Sequence, residues 1–141
     1  MKRAEIEQLL PHRDPFLLID EIVEIVPGES ATAFKDVRDT EFWVPGHFPS
    51  EAVMPGVLIA EAMAQVAGVI YVLANQDKAG NALYLVGMDK IRFRRPVRPG
   101  DRLMLQVSVE ECRRRMWRFK ATALVNGKKV ADGSLLATAS A

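Results

Sequence analysis

Two side chains in this sequence have the type and setting to move protons. His47 sits in Pro45-Gly46-His47-Phe48-Pro49, where two prolines stiffen the loop and fix an imidazole able to take up a proton near neutral pH. Rigid placement suits a general base. Alone, the same segment also reads as a loop histidine bonded to a backbone carbonyl. Glu61 is the second. From Val53 to Ala74 only Glu61 and Gln65 carry a charge or an amide, and glutamates in apolar surroundings are rare unless paired or functional. A carboxyl withdrawn from water favours its protonated form, which can give a proton. Gln65, one helical turn on, shares its face and could hydrogen-bond it. Without further context, Glu61 equally fits a carboxylate facing a water pocket or an arginine of a second copy.

A third feature precedes Glu61. In Val53-Met54-Pro55-Gly56-Val57, Pro55 suits the first position of a helix, which puts Met54 at the N-cap without a side-chain oxygen. The first N–H groups are left to water, to a neighbouring loop or to a substrate oxygen gaining negative charge. Gly56 leaves room for close approach. His12, between Pro11 and Pro15 with charged neighbours, reads as an ordinary loop histidine. Ala60, Ala64 and Gly68 form a stripe for close packing.

The helix that must carry Glu61 is nearly long enough to span a membrane. A carboxylate at mid-membrane costs about 2.5–3.5 kcal/mol, and the rest of the chain is patterned as a soluble domain, so a buried helix is expected. A helix apolar on almost every side needs wrapping on almost every side. A short amphipathic helix, Arg3 to Leu10, precedes it and stops at Pro11. Strands are expected over Phe16–Val26 and Ser30–Val37, separated by Pro27-Gly28-Glu29. After the helix, strands are expected over Ala82–Asp89, Ile91–Val97, Arg102–Glu110, Trp117–Val125 and Lys129–Ala139. Alternation is clearest at Leu103, Leu105, Val107 and Val109 and at Trp117, Phe119, Ala121, Ala123 and Val125. Asn126-Gly127 is a strong hairpin signal. The expected class is α+β, one antiparallel sheet curled around one helix, with a second copy of the chain covering what the sheet leaves exposed.

Composition agrees. The chain has 141 residues, 49% apolar, with a formal net charge of +1, which fits one domain over residues 1–141 and excludes a disordered tail protein. Cys112 is the only cysteine, so neither an intramolecular disulfide nor a zinc cluster is expected. The N-terminus shows no apolar signal segment, which makes the cytoplasm the expected compartment. Charge is segregated: residues 90–120 hold eleven Lys/Arg against three Asp/Glu, a local net of +8, and the remainder carries −7. This is a solvated face or a surface for an anionic partner. No nucleic-acid motif accompanies it.

In this order and spacing, LPHRDPFLLID (10–20), GHFPSEAVMPGVLIAEAMAQ (46–65) and MDKIRFRRPVRPGD (88–101) resemble the 3-hydroxyacyl-acyl-carrier-protein dehydratases of type II fatty acid synthesis, over nearly the whole chain. The resemblance implies the hot-dog fold and homodimers that commonly assemble into a trimer of dimers. It implies His47 and Glu61 as the catalytic pair, with each site shared between two protomers. Gly56 falls on the thioester-polarising amide and Tyr84 on the residue that gates the acyl tunnel in some members. Glu61, where the dehydratase-isomerase class has Asp, points to the non-isomerising branch. Ala52, Ser50 and Asp14 depart from the usual residues without removing a chemical group.

The implied reaction is loss of water from a 3-hydroxyacyl chain carried on the 4'-phosphopantetheine of acyl carrier protein. It needs a base at the α-carbon, an acid at the departing hydroxyl and a donor to the carbonyl, and no metal or organic cofactor. Arg92, Arg94, Arg95 and Arg98 are the expected carrier-docking residues, with the Arg113 to Lys120 stretch next. The rivals are a hot-dog acyl thioesterase and a non-catalytic acyl-carrier-binding protein.

Overall fold

Helix α2, Gly56–Ala74, is the axis of the molecule. By length and composition it could cross a membrane, but 72% of its apolar window is buried within the fold. The computed structural model describes residues 1–48, 50–76 and 83–139. Pro49 of the His47 loop, and Ala82, where the third strand was expected to begin, lie outside the described residues.

Among the described residues six strands wrap α2: β1 (Glu21–Val26), β2 (Ser30–Asp36), β3 (Leu83–Phe93), β4 (Arg102–Arg113), β5 (Met116–Val125) and β6 (Lys128–Ala139), with α1 (Arg3–Leu9) before them. They form one antiparallel sheet in the order β1-β2-β4-β5-β6-β3. Alternation reads through to burial: Leu103, Leu105 and Val107 on β4 and Trp117, Phe119, Ala121 and Ala123 on β5 face the core. Many inward positions are small. Ala31, Ala33, Ala121, Ala123, Ala131 and Ala137 are all buried, so the sheet can close tightly on the helix and fill the space with the helix's Leu, Ile, Val and Met side chains. Asn126 and Gly127 both take positive φ, 52° and 77°, which is the tight hairpin turn expected between β5 and β6.

Two expectations are corrected. The strand expected from Phe16 begins only at Glu21. Leu17, Leu18 and Ile19 are buried, but the Leu17 N–H turns back to the Arg13 carbonyl and side chains take further backbone groups. Leu18 N–H donates to Gln65 Oε1 at 2.8 Å, and the Arg3 guanidinium donates to the carbonyls of Leu17 (2.9 Å) and Ile19 (3.2 Å). In addition, the strands expected over Ala82–Asp89 and Ile91–Val97 are one strand, β3, ending at Phe93. Its register with β6 shifts between Asp89 and Arg92, and Lys90 there adopts a φ of 54°. Opposite the shift stands Gly133, where a Cβ would lie 2.7 Å from the Ile91 Cα. Only glycine admits that approach, so the bulge bends β3 without ending it.

Candidate active site

The loop before α2 positions His47. The buried Trp43 offers its carbonyl to the N–H groups of Gly46 (3.3 Å) and His47 (3.1 Å). Upstream, Glu41 anchors the loop to β2 through an almost fully buried ion pair, Lys35 Nζ to Glu41 Oε2 at 3.1 Å, and the same oxygen accepts from Arg38 N–H at 3.0 Å. The His47 ring packs edge-on against Phe48 with centroids 4.6 Å apart. Its Nδ1 lies 2.6 Å from the Val53 carbonyl. A carbonyl can only accept, so the Nδ1 proton is fixed there and Nε2 is left with a free lone pair. The carbonyl bond of an ordinary loop histidine is therefore present, and it leaves Nε2 able to accept a hydrogen bond.

The cavity around His47, about 340 Å³, is lined by Val53, Met54, Gly56, Ile59 and Phe93 and also by Arg94 and Arg95. The helix starts one residue later than expected: Pro55 is the N-cap and Gly56 the first helical residue, with no side-chain cap. Proline has no N–H to leave unpaired. Pro55 O accepts from Leu58 (3.0 Å) and Ile59 (3.2 Å), and the Gly56 N–H has no acceptor among the described residues. The room left by Gly56 is occupied in part, since a Cβ there would lie 3.0 Å from the edge of the Phe93 ring.

Glu61 stands in a different cavity, about 320 Å³, that follows Glu61, Ala64, Gln65, Gly68 and Val72 along one face of α2 and is roofed by β3 residues including Tyr84. Its side chain is a quarter exposed, so it borders the cavity and is not wholly enclosed. Gln65, 1% exposed, donates to Glu61 Oε2 at 2.9 Å and to the Phe16 carbonyl at 2.8 Å. Glu61, Gln65 and Tyr84 are thus brought together, and so are His47 and Gly56, but the two groups occupy separate cavities of one chain.

His12, read from the sequence as an ordinary loop residue, stands beside Glu61 in the fold. Its Nε2 lies 3.5 Å from Glu61 Oε2. The signal was available, because His12 has the same proline-flanked setting that drew attention to His47. Of the four expected docking arginines, Arg94 is paired with Asp132 at 2.9 and 3.3 Å and Arg98 with Glu51. Hydrogen bonds from Arg94 hold the Asp132 carboxyl below the usual carboxylate range. Arg92 and Arg95 are exposed and have no ion pair among the described residues.

Comparison with known proteins identifies the family. The FabA-like domain family matches residues 10–134. A 3-hydroxyacyl-[acyl-carrier-protein] dehydratase of Myxococcus xanthus is 49% identical over 98% of this chain and 91% of its own length. The enzyme of the same name from Geobacter metallireducens is 47% identical over 95% and 90%. Among solved structures, the dehydratase heterocomplex of Xenorhabdus doucetiae aligns with a TM-score of 0.80 at 18% identity, over 96% of this chain and 91% of that one. A hypothetical thioesterase protein of Streptococcus pneumoniae, solved with coenzyme A, aligns at 0.66 and 12% identity, over 85% and 84%. At such identities the structures speak for the hot-dog fold, while the sequence relatives carry the family. The chain belongs to the FabA-like family of 3-hydroxyacyl-acyl-carrier-protein dehydratases.

Proposed function

We propose that the active site is assembled from two copies of this chain, His47 and the Gly56 N–H from one and Glu61 from the other. The activity is dehydration of 3-hydroxyacyl-acyl carrier protein to the trans-2-enoyl product in fatty acid synthesis. In this reading His47 Nε2 takes the α-proton. The Gly56 N–H and the helix start stabilise negative charge on the thioester oxygen. Glu61 gives its proton to the β-hydroxyl, which leaves as water. The observation that carries it is the partition of polar atoms: Val53 O holds His47 Nδ1 and Gln65 holds Glu61 Oε2, so one nitrogen and one oxygen remain for substrate, in separate cavities.

A homodimer supplies the juxtaposition. β3 lies at the edge of the sheet and exposes Tyr84, Val86 and Met88, each about half accessible at 56%, 52% and 52%. An apolar open edge of this kind is a pairing surface. A trimer of such dimers is the assembly we assign, in the cytoplasm, with Tyr84 as the gate to the cavity beside Glu61.

The test is an assay of carrier-bound 3-hydroxyacyl substrates of several chain lengths, run in both directions. Reversible loss of water is expected, and trans-2-decenoyl thioester is hydrated without formation of the cis-3 isomer. Release of free carrier instead would identify a thioesterase, and an enzyme-dependent cis-3 product would place the chain in the isomerising branch.

A further inference from the structure

Glu61 has a second polar neighbour that the reaction above does not use. His12 Nε2, at 3.5 Å from Glu61 Oε2, stands just beyond hydrogen-bond distance. The ring is held there by its backbone. Arg13 Nη1 donates to the carbonyls of His12 (2.7 Å) and Leu10 (2.9 Å), and the Arg13 carbonyl accepts from Phe16 and Leu17 N–H. His12 Nδ1 is buried without a hydrogen-bond partner. A proton on that nitrogen would be a desolvated donor with nothing to bond. The arrangement therefore favours the proton on Nε2, where it faces the carboxylate.

Resting on the functional reading above, we propose that His12 is a positioning residue for the catalytic acid, its Nε2–H and the Gln65 amide together holding Glu61 Oε2. Both known neighbours of the carboxyl then meet one oxygen, and Oε1 has no protein donor among the described residues. That oxygen is kept turned toward the departing hydroxyl. Active-site contacts that are long in the free enzyme tighten when substrate fills the site, which is the direction in which the 3.5 Å gap closes. With Gln65 alone the carboxyl has one tether and can pivot about it.

The experiment compares the parent with His12→Ala and His12→Gln, the second keeping an N–H donor near the position of Nε2. His12→Ala lowers kcat about tenfold or more, the scale of a small misplacement of a reacting group, with KM changed less than about twofold. His12→Gln recovers most of the loss. In the parent, nitrogen NMR of the imidazoles finds the His12 proton on Nε2, and Glu61→Gln shifts that resonance. A kcat for His12→Ala within about twofold of the parent, equal losses in the two variants, or a proton on Nδ1 overturns the proposal. If the alanine variant does not fold, the glutamine variant and the parent's spectrum decide. An inactive parent overturns the dehydratase reading itself, whereas an active parent with unimpaired variants overturns only the role of His12.

Discussion

Gln65 is bonded at both ends of its amide: Nε2 donates to Glu61 Oε2 at 2.9 Å while Oε1 accepts from the Leu18 N–H at 2.8 Å. A single buried side chain therefore ties the candidate acid to the segment that leads into β1. Gln65→Leu keeps the volume but strands the Leu18 N–H and the Phe16 carbonyl, at a cost of about 1–3 kcal/mol for each buried group left unsatisfied. Thermal unfolding shows a lowered Tm, and kcat falls even well below the new melting range because Glu61 has lost its tether. Full turnover in the folded variant would leave Gln65 as structural support alone.

The proposal of a site shared between two copies has a sharper test. His47→Ala and Glu61→Gln each reduce turnover at least about a hundredfold, the lower scale of general acid–base catalysis, and both remain folded. When the two variants exchange subunits, each mixed dimer keeps one site with both groups intact. A fully exchanged equal mixture thus regains about a quarter of the parental rate, since half of the dimers are mixed and each has one working site of two. If mixed dimers verified by mass spectrometry show no more activity than the parent variants, the two groups do not meet across protomers.

The stretches of chain that were readable in advance are those whose cause is local. Asn126-Gly127 turns the β5–β6 hairpin through its own backbone preference, and the alternating Leu103-Leu105-Val107 buries one face by strand geometry alone. The errors share a different origin. Leu17 to Ile19 has the apolar character of a strand, but its backbone partners include side chains of Arg3 and Gln65, and periodicity carries no record of those. β3 was divided at Lys90 because the glycine that admits the bulge, Gly133, lies on another strand. His12 shares the proline-flanked setting of His47, but its place beside Glu61 comes only from folding. Likewise, the separation of His47 and Glu61 into two cavities is a property of the folded chain, and no local pattern in the sequence records it.

The pairing of Arg94 with Asp132 makes a contribution to stability that depends on pH. The guanidinium's hydrogen bonds hold the Asp132 carboxyl below its ordinary range, so the folded state binds this proton more weakly than the unfolded state does. The contribution is present in full above the ordinary carboxylate range and disappears as pH falls through the depressed folded value. Asp132→Asn accordingly lowers Tm by a constant, small amount near neutral pH, small because Arg94 is about half exposed at 48%. The gap to the parent closes on acidification below about pH 4. A gap that is unchanged down to the acid transition would assign the effect to packing.

Arg92 and Arg95 are exposed cations without an ion pair among the described residues, and Arg95 lines the cavity that holds His47. Arg94 and Arg98 are engaged with Asp132 and Glu51, so the unpaired two have their charge available to an anionic partner. A surface of this kind speeds encounter with an acidic carrier protein and does so less at high salt. Reversing Arg92 and Arg95 to Glu raises KM for carrier-bound substrate and flattens its salt dependence. Turnover of a pantetheine-linked analogue, which brings no acidic protein surface, changes much less. A merely solvated face gives the same small effect with both substrates. Equal and large losses on both would trace the defect to the cavity beside His47, and docking would then be sought at Arg113, Arg114 and Arg115, the exposed hairpin tip between β4 and β5.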